Sequence, residues 1–254
     1  MPAAVFRVYG ILNDFIPERR KGVSFQAEFA AHETVKHVLE AIGIPHPEIG
    51  LLLINGESRG LHVRLQAKDR VSAYPPFQQL DIGPVTKLET VPEGEKKFIL
   101  DSHLGRLANN LRLLGFDTRY RNDFSDPELS ELSVQEQRIL LTRDRGLLKR
   151  KQVRWGYLVR EDDPWEQTLS VVLRYNLSGQ IKPFTRCARC NGILAEVKKD
   201  AVLDQLEPLT TKYYQEFSRC KNCGQVYWRG SHFEKLTEKV DAVSRLSSEK
   251  DHKL

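Results

Sequence analysis

All four cysteines of the chain stand in two Cys-x-x-Cys pairs, Cys187-Ala188-Arg189-Cys190 and Cys220-Lys221-Asn222-Cys223. Two thiolates separated by two residues form a tight knuckle that faces both sulfurs to one ion, and two knuckles complete a tetrahedral shell. A shell closed by four sulfurs leaves no open position for a substrate. The expectation is therefore one structural zinc ion (Zn2+) held by Cys187, Cys190, Cys220 and Cys223. Two disulfides would need an oxidising compartment, and a redox dithiol would not need two matched pairs. Residues 191–219 exceed the commonest ribbon spacing, but Ile193–Val197 and Val226–Trp228 read as strands able to pair across the knuckles.

The 254 residues around that centre suffice for one to three domains. The longest apolar stretches, such as Ile49–Ile54, fall far short of the roughly 18 residues that span a bilayer. The opening residues Met1–Val5 hold no basic segment followed by an apolar run. These readings lead to the expectation of a soluble, cytoplasmic protein with no membrane partner. A net charge of +5 fits a polyanionic partner and is also common in proteins that bind no nucleic acid.

Residues 1–80 alternate strand-like pieces with one helical run. Val5–Tyr9 and Phe25–Phe29 read as strands, and His32–Ile42 reads as a helix opened by Glu33-Thr34 and ended at Gly43. Gly50–Ile54 reads as an apolar strand before an Asn55-Gly56 turn, and Val63–Leu65 and Arg70–Tyr74 follow as further strands. The run Thr34–Pro45 followed by Leu52–Gly56 resembles the ubiquitin-like and sulfur-carrier type of β-grasp domain. Sulfur carriers activate a terminal Gly-Gly carboxylate, whereas here Ala73–Phe77 continues into more protein. The expected role is a binding or positioning module, a protein being one partner it would take.

Residues 81–96, with Gly83-Pro84, Pro92 and Gly94, read as a linker. A second domain over 97–180 opens with the apolar strand Lys97–Leu100 closing on Asp101. A helix with Leu104, Leu107, Ala108, Leu111 and Leu114 on one face then ends at Gly115, and a strand Phe116–Tyr120 follows. After a helical segment over Pro127–Arg138, Ile139–Thr142 and Asp144 repeat the strand-then-acid pattern. Strand-helix-strand order predicts a parallel α/β sheet, whose ligands sit at the carboxyl ends of the strands. Asp101 and Asp144, with Asp123 or Asp126 from the intervening loop, are thus candidates for one acidic pocket. Gathered carboxylates call for a hard cation such as Mg2+ or Mn2+, the logic of metal-dependent phosphodiester hydrolysis. The alternative for each acid alone is a helix N-cap or turn former.

The segments Asp101–Ala108, Leu111–Thr118 and Ile139–Arg145, continuing through the cysteine pairs to Tyr227–His232, resemble the Mut-seven carboxy-terminal ribonuclease family. That resemblance covers about residues 97–236, and a fused β-grasp domain is also found in the family. It implies a PIN-like fold followed by a zinc ribbon over 181–236, and a metal-dependent RNase activity. It carries over Asp101 and Asp144 as Mg2+ or Mn2+ ligands, with Asp123 and Asp126 for the loop position; no residue matches a fourth acid of the family, for which Glu128, Asp162 and Asp163 are the candidates.

Arg106, Arg112, Arg143, Arg145 and Lys149 are the basic residues expected to contact RNA phosphates near these acids, with Arg150, Lys151 and Arg154 close in sequence. A solvated helix flank is the plain alternative for Lys149–Lys151. His103 reads either as a phosphate-orienting group or as a helix-start residue. In the ribbon, Trp228 and Arg229 combine an aromatic face with a cation, suited to stacking on single-stranded bases. Residues 237–254 form a polar tail read as a surface helix.

The leading expectation is a metal-dependent ribonuclease acting on single-stranded or structured RNA. The rival is a non-catalytic RNA-binding or translation-associated adaptor. A sulfur-transfer accessory role is a third reading, weakened by the missing Gly-Gly end.

Overall fold

The computed structural model describes residues 1–78 and 80–251, apart from the side chains of Ser231, His232 and residues 248–251. Residues 252–254 of the polar tail lie outside the described residues, as does Gln79 in the amino-terminal domain. Along the chain run β1 (Ala3–Val8), β2 (Phe25–Glu28), α1 (Val35–Ile42), β3 (Leu51–Ile54), β4 (Glu57–Ser58) and β5 (Arg70–Tyr74). Then follow β6 (Lys97–Leu100), α2 (Gly105–Leu113), β7 (Asp117–Tyr120), α3 (Asp126–Gln135), β8 (Ile139–Thr142), α4 (Arg145–Leu148) and β9 (Gly156–Leu158). The remainder is α5 (Pro164–Arg174), β10 (Leu194–Val197), α6 (Pro208–Tyr213), β11 (Phe217–Cys220), β12 (Val226–Trp228) and α7 (Ser231–Asp251). Two compact units divide these elements, Met1–Glu93 with Ser125–Leu158, and Gly94–Phe124 with Val159–Leu254. The class is the mixed α/β, multidomain one that the sequence leads to expect.

In the first unit, strict alternation in β1 buries Ala4, Phe6 and Val8 and leaves Arg7 exposed on the other face. Full burial of one such side chain contributes about 2–3 kcal/mol. The sheet order is β2-β1-β5-β3-β4, with β1 parallel to β5 and antiparallel to β2. Val71, Ala73, Leu52 and Ile54 extend the buried face, joined by Val35, Val38 and Leu39 of α1. Thr34 caps α1, its Oγ1 accepting from the His37 N–H. The expected strand Val63–Leu65 is not one. Arg64 makes a single bridge to Thr34, because the Val63 and Leu61 carbonyls accept the unpaired N–H groups of Val35 and Lys36 at the helix start.

The same unit holds α3, β8, α4 and β9. All four residues of β8 are buried, and β8 runs parallel to β9 in the register Leu140↔Gly156 to Thr142↔Leu158. Ser125 and Glu128 form a reciprocal capping box at the start of α3. Buried polar groups tie this segment to the β-grasp part. Glu48, wholly buried, accepts the Leu158 N–H at 2.7 Å, and His46 lies 2.7 Å from Glu40 Oε1 and 2.6 Å from the Val153 carbonyl. Lys149 Nζ donates to the Glu40 carbonyl at 2.7 Å, near the carboxyl end of α1 where the helix dipole favours a cation.

In the second unit, β6 and β7 pair in parallel from Lys97↔Asp117 to Leu100↔Tyr120. Helix α2 joins them and packs against α5, which packs against α7. Asn110 of α2 donates to Thr168 Oγ1 and the Pro164 carbonyl. The ribbon sheet has the order β10-β11-β12. Thus the two strands read beside the knuckles do not pair with each other. Both pair with β11, which ends in Cys220 and lies between them. The residues between the cysteine pairs supply β11 and α6, and Val202 and Phe217 among them pack with Val226 of β12 into a small core covered by Val197, Leu206 and Tyr214.

Gly115 ends α2 with φ 94°, a left-handed conformation, and a Cβ placed there would lie 2.2 Å from the Lys182 carbonyl oxygen. Gly115→Ala is therefore expected to lower unfolding stability by about 2–4 kcal/mol, the sum of backbone strain and overpacking. A urea titration that finds a loss below about 0.5 kcal/mol, within the range of neutral surface changes, would refute that reading.

Candidate functional site

The two knuckles have the same backbone. In the first, the Asn191 N–H donates to the Cys187 carbonyl and the Cys187 N–H to the Gly192 carbonyl, at 2.9 and 2.7 Å. In the second, the Gly224 N–H donates to the Cys220 carbonyl and the Cys220 N–H to the Gln225 carbonyl, at 3.0 and 2.9 Å. The residue after each second cysteine is left-handed, Asn191 at φ 68° and Gly224 at φ 72°. Asparagine and glycine are the residues that tolerate that conformation most readily. The four Sγ atoms lie within 4.8 Å of one another. Cys187 to Cys223 is 3.7 Å and Cys190 to Cys220 is 3.4 Å. Bonds of about 2.3 Å to a tetrahedral ion bring sulfurs to roughly this separation, so the group can hold one zinc ion.

The electrostatics of the four sulfurs suit a cation. Burial raises the Cys187 thiol, but the Tyr227 hydroxyl and the Cys190 and Arg189 N–H groups outweigh it and bring the thiol down to about 7. Cys190 is pushed up to about 12 by burial and by the neighbouring sulfurs of Cys223, Cys220 and Cys187. Four sulfurs this close cannot all carry charge unless a cation balances them.

The support of this centre comes from residues that sequence reasoning passed over or placed elsewhere. Tyr227 Oη lies 3.1 Å from Cys187 Sγ, positioned to donate to the thiolate. Arg112, expected among the RNA contacts, is 3% exposed. Its Nε donates to the Thr118 carbonyl at 2.9 Å, and its Nη1 to the Ala188 and Arg189 carbonyls at 2.8 and 3.1 Å. A guanidinium spent on three carbonyls beneath the first knuckle is a brace, not a phosphate contact. Asn191 adds a second tie, accepting the Thr118 N–H at 2.9 Å and donating to Asp117 Oδ1 at 2.8 Å. Arg186 Nε donates to the Gly115 carbonyl and its Nη1 to the Asn191 carbonyl, at 3.0 and 3.1 Å. Asn191 was open to detection, since it fills the slot that Gly224 fills after the other pair.

The candidate acids occupy turns. Asp101 closes β6, is 6% exposed, and its Oδ1 accepts the His103 N–H at 3.0 Å. His103 Nδ1 lies 3.8 Å from the same oxygen, and the ring itself is exposed. Tyr120, at the end of the neighbouring β7, donates its hydroxyl to the Ser102 carbonyl at 2.9 Å and so braces the Asp101 turn. Asp144 follows β8, is exposed, and caps α4 by accepting the Gly146 N–H at 2.6 Å. Asp123 accepts from Arg121 at 2.8 Å, and that bond holds its carboxyl below the usual range. Asp126 opens α3, 3.8 Å from Arg150. Of the residues named for a fourth acid, Glu128 belongs to the α3 capping box and Asp163 caps α5. Among the described residues, the cysteines are the one group of three or more His, Cys, Asp or Glu placed to hold a metal ion.

The basic residues divide by exposure. Arg106, Arg143 and Arg145 are exposed, with Arg145 5.2 Å above the Phe15 ring. Lys149 is committed to the α1 carbonyl and Arg154 to Glu89. Trp228 is 39% exposed at the end of β12, and Arg229 pairs with Glu216 at 3.2 Å.

Residues 96–240 match the family model described as the Mut7-C RNAse domain, and residues 1–81 match the one described as Mut7-C ubiquitin. No curated protein and no solved structure matches the chain. No helix among the described residues is long and apolar enough to cross a membrane.

Arg112→Met leaves the buried Thr118 carbonyl and the part-buried Ala188 and Arg189 carbonyls without this donor and is expected to cost about 3 kcal/mol in urea unfolding. It should also speed zinc release to a colorimetric chelator, with Arg112→Lys restoring only part because a lysine lacks the planar fork. Wild-type stability and release in both variants would show that the brace is dispensable.

Proposed function

The chain belongs to the Mut7-C RNAse domain family, whose match points to a ribonuclease-type function, and from that premise we propose a metal-dependent hydrolase acting on RNA phosphodiester bonds. The observation that carries the reading is that the matched segment contains two strands, β6 and β8, each followed by an aspartate held in a tight capped turn. In this reading Asp101 and Asp144 are the principal carboxylates, with Asp123 or Asp126 for the loop position. Carboxylate oxygens suit Mg2+ or Mn2+ in kind. Such an ion supplies a water of lowered pKa and charge stabilisation on the phosphate.

The chain's own contribution is positioning. The His103 and Gly146 N–H groups fix one oxygen of Asp101 and of Asp144, and Tyr120 fixes the turn behind Asp101. Exposed Arg106, Arg143 and Arg145 are assigned to phosphates, and Trp228 with Arg229 to an unpaired base. Lys149 and Arg112 drop out of that set because their nitrogens are committed to backbone carbonyls. Zinc at Cys187, Cys190, Cys220 and Cys223 is assigned a structural role, and the ubiquitin-like domain a binding role.

The turn-capping roles of Asp101 and Asp144 favour a second reading, an RNA-binding adaptor without turnover. Cleavage of labelled single-stranded and structured RNAs with Mg2+ or Mn2+ decides between them. Asp101→Asn and Asp144→Asn keep an acceptor for the turn and should each lower cleavage about a hundredfold or more, with zinc content unchanged. Metal-independent cleavage, or none by any variant while RNA still binds, removes the hydrolase.

A further inference from the structure

The outer face of the ubiquitin-like sheet carries an aromatic run that the core does not use. Tyr9 and Tyr74 stack at 4.2 Å with 6° between their planes, the Arg7 guanidinium lies 5.4 Å over Tyr9, and Phe77 lies 6.1 Å beyond Tyr74. The order follows from register. β1 and β5 are parallel, with Arg7 beside Ser72 and Val8 beside Ala73, which brings Tyr9 to Tyr74. Arg70 lies on the same face beside Val5, two residues and so roughly 7 Å back along the strands from the Arg7 row.

The run is held in place before any ligand arrives. The Gly50 N–H donates to the Tyr74 carbonyl at 2.8 Å, and a Cβ on Gly50 would lie 2.4 Å from Pro76 Cα. Pro75 and Pro76 therefore pass flush against the glycine and fix the direction in which Phe77, 39% exposed, leaves the sheet. Arg7 and Arg70 are exposed and have no carboxylate ion-pair partner among the described residues.

We propose that this face, Arg7, Tyr9, Tyr74 and Phe77 with Arg70, is a binding platform for single-stranded RNA. The inference rests on the RNA reading of the proposed function. Flat apolar rings alone would suit many ligands, but rings flanked by two unneutralised guanidinium groups suit one that combines anionic groups with flat faces. A single strand offers phosphates to Arg7 and Arg70 and an open base face to Phe77. A duplex hides its base faces, so the platform selects unpaired segments.

The test measures fluorescence anisotropy of a short labelled single-stranded RNA with the full chain, without added Mg2+ or Mn2+, over a salt series. Arg7→Gln with Arg70→Gln should lower the slope of log affinity against log salt by about 1.4, two lost phosphate contacts on a single strand. Phe77→Ala should weaken binding about tenfold at fixed salt while leaving the slope unchanged. Both changes lie on the exposed face, and thermal melting confirms that each variant folds. Binding and slope unchanged in all variants overturn the platform, as does a wild type that binds no RNA. A concentration-dependent dimer that Phe77→Ala abolishes, with RNA binding intact, reassigns the face to a second copy of the chain and also overturns it. Cleavage by the wild type in Mn2+ is scored separately. Its absence, with variant-sensitive binding, removes the nuclease and keeps the platform; its presence, with variant-insensitive binding, does the reverse.

Discussion

Four sulfurs within 4.8 Å of one another form the constraint on which the ribbon and its mounting depend. Uncompensated thiolates repel at that distance; burial and then the neighbouring sulfurs push Cys190 up to about 12, while against its own burial Cys187 is brought down to about 7 by the Tyr227 hydroxyl and backbone N–H groups. Both knuckles share the same left-handed turn, and the N–H groups of Arg189 and Cys190 in one and of Asn222 in the other reach the sulfurs of Cys187 and Cys220, leaving the remaining charge to be balanced by a cation. The ribbon strands are short, and their core is small. It follows that much of what holds this part together is local geometry around the sulfurs, not buried area.

That centre is not an appendage. Arg112 and Asn191 join the first knuckle to β7, and Arg186 joins it to the end of α2. Arg112 and Asn191 pair the carbonyl and the N–H of the wholly buried Thr118, groups that cost about 1–3 kcal/mol each when left unpaired. β7 in turn carries Tyr120, whose hydroxyl holds the carbonyl next to Asp101. Within this one unit, a continuous set of hydrogen bonds thus runs from the cysteine knuckle to the turn of the leading candidate acid. The first unit uses the same device with His46 and Glu48, whose buried side chains meet Val153 and Leu158.

The candidate acids show how capping and chemistry share a position. A carboxylate at a strand end is fixed by the N–H groups of the turn it starts, and that fixing is also what a metal ligand needs. Capping alone therefore does not discriminate a ligand from a turn former. The family match, together with the segments that carry Asp101 and Asp144, supplies the further support for the ribonuclease reading.

What the sequence determined by itself was the local part. The paired cysteines, the alternation in β1, the Gly43 end of α1, and the strand-then-aspartate repeats are written in neighbouring residues, and each survives in the structure. So does the family, because its motifs are short and contiguous. Helix α1, by contrast, begins at Val35 and not at the expected His32, because Thr34 is its cap. Only the tertiary structure decided what depends on partners distant in the chain. β11 became the central ribbon strand because residues 198–216, with Val202 packed against Phe217 and Val226, return the chain between β10 and β12. Val63–Leu65 gave up strand pairing because its carbonyls were nearer to the free end of α1. Arg112 and Lys149 looked like phosphate contacts because a cation's charge is visible in sequence, whereas the carbonyls that claim it are brought near only by folding.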